Sequence, residues 1–142
     1  MKHALLLSAL LTLLSCNQNT SKNDSSSSAI DEAKTKEVFD RHFKTFFAND
    51  IDGIMADYAD DAILITPRDT RVGAAEIRKG FEGVFKLFPK DSSTSEITKT
   101  IVKNDMAYII WKIKGPKAEL AFATDSFIIQ NGKIVRQTFA GH

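Results

Sequence analysis

The chain reads as an α+β domain in which helices come first and an antiparallel meander closes the sequence. Two observations predict this. Apolar side chains recur at helical spacing from Val38 to Phe47 and again from Ile77 to Phe88. From Ser95 onward the apolar residues alternate, and turn signals at Asn104-Asp105 and Asn131-Gly132 cut the run into strands. Helices kept apart from an antiparallel sheet pack on one of its faces.

The first residues stand outside the fold. "MKHALLLSALLTLLSC" has a basic start at Lys2 and an apolar run from Ala4 to Leu14. That run is shorter than the roughly 20 residues a spanning helix needs, and it fits a secretory signal. It ends in "LLSC", which resembles the lipobox of bacterial lipoproteins, and the resemblance implies cleavage before Cys16 and lipidation of that residue. The alternative is plain secretion with a free thiol. Cys16 is the only cysteine, so no disulfide forms within the chain. Residues 16–29 continue as the lipidated cysteine and a polar, Ser-rich tether, with a reach on the order of 20 Å by random-coil scaling. The folded domain is expected over residues 30–142. The expected location is the cell envelope, on the periplasmic or outer-membrane face, held by lipid.

Residues 29–50 form the first helix, with Val38, Phe39, His42, Phe43, Phe46 and Phe47 inward and either Ser28 or Asp31 as N-cap. "NDIDGIMADYADD" continues as a short second helix with Ile51, Ile54, Met55 and Tyr58 inward. "AILITP" is a strand stopped by Pro67. "RDTRVG" is a turn into a third helix whose stripe is Ile77, Phe81, Val84, Phe85 and Phe88. Gly80 and Gly83 each weaken that helix by roughly 1 kcal/mol relative to Ala, which points to close packing at both. Four strands follow: "SEITKTIVKN", "MAYIIWKIKG", "AELAFATDSFIIQ" and "KIVRQTFAG".

The third of these strands holds the anomaly. Alternation puts Asp125 on one face with Ala121, Ala123, Phe127 and Ile129. A carboxylate on an apolar face needs a partner or a task. The candidate partners are His42, Arg136 and backbone groups; the other possibility is contact with a ligand. Trp111 shares a face with Ala107, Ile109 and Ile113, which suits core, dimer contact or pocket wall.

Composition excludes several classes. The chain carries 19 Lys and Arg against 18 Asp and Glu, and removal of a leader with Lys2 balances them. No basic patch stands out, so nucleic acid is not an expected partner. The acidic run Asp57, Asp60, Asp61 lacks nearby His or Cys and reads as turn chemistry, so no metal is expected. No phosphate loop or nucleophile motif is present, and no cofactor is expected.

The order of elements, with "FFANDIDGIMADYADDAILITP", "GAAEIRKGF" and "TDSFIIQNGKI", resembles the SnoaL-like branch of the NTF2-like superfamily, which includes the ketosteroid isomerases. The resemblance spans residues 32–140. It implies a cone in which a strongly bent sheet wraps the helices around an apolar pocket open at one end. In the isomerase relatives a protonated Asp at the Asp125 position donates a hydrogen bond to an enolate oxygen. Their Tyr falls on His42 and their general-base Asp on Thr66, immediately before Pro67, so only the acid persists. A threonine hydroxyl does not take a proton from carbon near neutral pH.

The expected site is therefore Asp125 with His42 as an acid–base pair, lined by Thr66, Tyr58, Phe46, Phe81, Trp111 and Phe127, with the Tyr58 hydroxyl near the mouth. Three functions are compatible with it. The first is an envelope protein that binds a small apolar or amphipathic molecule. The second is an isomerase- or cyclase-like enzyme acting on a carbonyl compound. The third is an interaction module that pairs with another protein or, as a homodimer, with itself.

Overall fold

The computed structural model describes residues 30–142. Expectations for the leader, Cys16, the tether and a Ser28 cap lie outside the described residues. Helix α1 (Glu32–Phe47) starts where the Asp31 carboxylate accepts from Lys34 N at 3.1 Å, which satisfies one of the orphan donors of the first turn. It ends at Asn49, whose φ of 53° is the left-handed stop favoured by Asn and Gly. Helix α2 (Ile51–Met55) is capped by Asp50, which accepts from Gly53 N at 2.9 Å.

Here the structure departs from the sequence reading. The chain leaves the helix after Met55, and strand β1 runs Tyr58–Ile65, four residues earlier than expected. Tyr58 pairs with Ile134 and is a strand residue. Tyr has high β propensity, and that pairing outweighs the short helix's weak hold on its last turn. The segment read as a plain turn contains strand β2 (Thr70–Val72), antiparallel to β1. Helix α3 (Ala74–Leu87) follows Gly73, and a 3-10 turn (Lys90–Ser92) leads into β3 (Thr94–Lys103), β4 (Met106–Lys114), β5 (Glu119–Gln130) and β6 (Lys133–Gly141).

The six strands form one curved sheet in the order β2-β1-β6-β5-β4-β3. All neighbours are antiparallel except β1 and β6, which are parallel. The β5–β6 hairpin turns at Asn131 (φ 53°) and Gly132 (φ 74°), the two positive values a type I′ turn requires. Helix α1 packs across β3 to β5, and α3 packs over β1 and β2. Between helices and sheet lies a core rich in aromatic rings, among them Phe39, Phe43, Phe46, Phe81, Trp111 and Phe127.

The ladder register shifts at four places, one of them between Ile97 and Lys99 of β3; the other three bear on the site. In β6 the register shifts between Ile129↔Ile134 and Ile128↔Arg136, so Val135 is an extra residue. Ile134 and Gln137 both face inward as a result, and Arg136 faces out. The expected Arg136 partnership with Asp125 is thereby ruled out. A second shift separates Ile113↔Leu120 from Trp111↔Ala123. It puts Ala121 in the exposed class, off the face it was expected to share with Asp125. A third shift interrupts the β1–β6 pairing between Tyr58 and Ile63. The glycines of α3 also differ from expectation. A Cβ on Gly80 would stand 3.0 Å from Arg71 Nε, a true close approach, whereas a Cβ on Gly83 would meet nothing within 4 Å.

Candidate functional site

Asp125 is 4% exposed and lies at the centre of β5, opposite Ile109 of β4 and Phe139 of β6. Its two diagonal neighbours reach it. Trp111 Nε1 donates to Oδ2 at 2.8 Å, and Gln137 Nε2 donates to Oδ1 at 2.7 Å. Gln137 in turn accepts a hydrogen bond from the Tyr58 hydroxyl through Oε1. The acid therefore rests in a buried chain, Tyr58 to Gln137 to Asp125, with Trp111 on its other oxygen. Each link holds the next in one orientation.

The electrostatics follow from these contacts. Burial raises the Asp125 pKa from 3.8 to about 6, while the two hydrogen bonds, which favour the charged form, hold it from rising further. Near neutral pH the group is mostly ionised and acceptor-only. Burial also lifts the Tyr58 hydroxyl well above its usual range, and the Asp125 and Asp57 charges add to the effect.

His42, 2% exposed, is placed differently from the expected acid–base partner. Rings surround it: Phe127 at 5.2 Å, Phe43 at 5.4 Å, Tyr58 at 5.5 Å and Phe81 at 6.0 Å between centroids. Its Nδ1 is buried without a hydrogen-bond partner. Desolvation alone lowers its pKa from 6.5 to about 3, so the ring is neutral at physiological pH. Asp125 is held by Trp111 and Gln137, not by His42.

A cavity of about 370 Å³ opens over Asp125. Of the residues the sequence singled out, His42, Phe46, Thr66, Phe81, Trp111 and Asp125 line it. Tyr58 and Phe127 do not. The Tyr58 hydroxyl sits behind the wall on Gln137, away from the mouth, and Phe127 is buried against Phe39, His42 and Phe43. Thr66 is committed to a turn. Its hydroxyl donates to Asp69 Oδ1 at 2.8 Å and accepts from Arg68 N at 3.1 Å and Asp69 N at 3.0 Å. Sequence reasoning missed Gln137, because strict alternation from Ile134 turns it outward. It also passed over Arg68, which reads as an ordinary turn residue.

The acidic run does not converge. Asp57 is wholly buried with Oδ1 on Arg41 at 2.6 Å, while Asp60 and Asp61 are exposed. Among the described residues no group of three His, Cys, Asp or Glu is placed to hold a metal.

Solved structures share this architecture. A protein from Kribbella flavida, provisionally named a ketosteroid isomerase, matches with TM-score 0.66 at 15% identity over 78% of each chain. A Sinorhizobium meliloti protein, provisionally named a polyketide cyclase, matches with TM-score 0.63 at 21% identity, over 77% of this chain and 98% of its own. A de novo designed protein with a curved β-sheet matches as well, at 0.67 and 14% identity over 79% of this chain and 88% of its own. Likeness at these identities establishes the NTF2-like fold alone, and the designed protein shows how little the fold says about chemistry. No curated protein matches the chain. The sequence model of the SnoaL-like domain matches residues 39–137, most of the folded region, and the chain belongs to that family.

Proposed function

We propose that the domain binds a small, largely apolar molecule in the cavity over Asp125, with the carboxylate as its polar anchor. The observation that carries this reading is the acid itself. Two donors fix its orientation, burial keeps it near the point of ionisation, and it lines an otherwise mainly hydrophobic and aromatic space. A few placed polar groups in an apolar cleft is the usual make-up of a ligand site, and the volume lies at the small end of that range.

A second reading, an isomerase- or cyclase-like reaction on a carbonyl compound, draws support from the same value. A base with pKa about 6 is matched to proton transfer near neutrality. Neutral His42 supplies no imidazolium, so in that reading Asp125 both takes and returns the proton. The interaction-module reading, including a homodimer, rests on no specific contact and ranks below both.

The sole tryptophan, Trp111, lines the cavity, so its emission reports occupancy. Titrating small carbonyl and hydroxyl compounds of fewer than about fifteen heavy atoms should give a saturable change in emission. That change should weaken in Asp125→Asn. Saturation unaltered by the substitution, or none from any compound, would reject the reading.

The sequence features of residues 1–29 support lipid anchoring in the cell envelope as part of this proposal. The full chain should partition with membranes, and Cys16→Ala should move it to the soluble fraction; unchanged partitioning would refute the anchor.

A further inference from the structure

Three of the five charged side chains that line the cavity are ion-paired. Asp69 holds Arg71, with Oδ2 at 2.6 Å from Nη2, and Arg71 Nη1 also donates to the Glu76 carbonyl at 3.2 Å. Glu119 is paired with Lys114 at 3.1 Å. Two lining charges remain without an ion-pair partner among the described residues. One is Asp125 in the buried interior; the other is Arg68, exposed at the opening. Arg68 sits on a tight turn whose backbone is pinned from both sides by the Thr66 hydroxyl and by the Thr66 N to Asp69 O bond at 2.9 Å. Its guanidinium is therefore carried on a fixed stem beside the mouth.

Resting on the reading that the cavity takes a small molecule, we propose that the molecule belongs to one class. It is an aromatic or alicyclic carboxylic acid bearing a hydroxyl at its far end. The carboxylate meets Arg68 at the mouth, where a planar guanidinium matches it. The hydroxyl donates to Asp125 inside. The reverse orientation is disfavoured, because the Asp125 charge repels an anion in a low-dielectric site, while the Arg68 guanidinium gains little by donating to a neutral hydroxyl oxygen in place of water. The cavity of about 370 Å³ has room for roughly twelve water-sized groups at ~30 Å³ each, a size that suits a two-ring hydroxy acid.

The test uses the full chain and three probes: a hydroxynaphthoate with its two groups at opposite ends of the ring system, its methyl ester, and the naphthoate lacking the hydroxyl. Quenching of Trp111 emission gives the affinities. At low ionic strength the hydroxy acid should bind about fivefold more tightly than its ester, as expected for one partly exposed charge pair. Arg68→Ala should erase that preference and Arg68→Lys should keep part of it. Asp125→Asn should erase the preference for the hydroxy acid over plain naphthoate. Equal binding of acid and ester by the unmodified protein, or a preference that survives Arg68→Ala, would overturn the proposal and leave pocket binding intact. No quenching by any of the three probes would overturn both.

Discussion

Replacing Asp125 by Asn offers the sharpest check on how the site is built. The side chain keeps its shape, and the buried chain adapts by reversing. The new amide would donate to Gln137 Oε1, Gln137 Nε2 would donate to the Tyr58 oxygen, and Trp111 would keep its acceptor. What disappears is the cost of ionising a buried acid. With the folded-state pKa at about 6 against 3.8 for the free group, the difference is about two units, or about 3 kcal/mol at ~1.4 kcal/mol per unit. The sign follows from the raised value. The folded state holds the proton more tightly, so the contribution of Asp125 to stability is fully present below pH ~4 and is lost as pH rises through about 6. The Asn variant should therefore match the parent near pH 4 and exceed it by up to about 3 kcal/mol above pH 7. Urea unfolding of both proteins across this range measures the gap, and the slopes of every other titrating group cancel in the comparison. A gap that is flat with pH, or that shrinks as pH rises, would refute the account in which burial outweighs the two donors at Asp125.

His42 should behave oppositely. Its lowered pKa means stability is lost as pH falls from 6.5 toward 3, so His42→Phe should stabilise the fold and most strongly at acid pH, as read by thermal unfolding at pH 5 and pH 8. A loss of stability at pH 5 would show instead that the ring has a hydrogen-bond role. In α3, Gly83→Ala should add roughly 1 kcal/mol, because the new methyl meets open space. Gly80→Ala should gain nothing or lose stability, because the methyl presses on an Arg71 side chain already held at both ends. Denaturant midpoints of the two variants settle the contrast.

Much of the fold was readable because strong local signals agreed with the global arrangement. The Phe39–Phe43–Phe46 stripe could only be one helix face, and Asn131-Gly132 left the last hairpin little choice of turn. The departures arise where one tertiary contact outweighs a weak local preference. Tyr58 followed a helical pattern on paper but is claimed by pairing with Ile134. Ala121 was assigned to the wrong face and Gln137 was passed over because each lies beyond a bulge, and a bulge carries no residue signature of its own in these strands. The acid was legible as an anomaly for a physical reason, since ionisable groups seldom sit between apolar neighbours on a strand. Its true partners were not, since naming them requires knowing the phase of two other strands.

The extra residue at Val135 has a consequence for how such a domain changes over time. Were the final strand to run in phase from its hairpin, a guanidinium at position 136 would arrive where an amide now stands, and the pocket's acid would be clamped as a permanently charged salt link. A single residue of slack thus chooses between an inert ion pair and an acid that can gain or lose its proton in the cell. Loss of one residue near that hairpin would therefore change the acid's partner with no substitution inside the pocket.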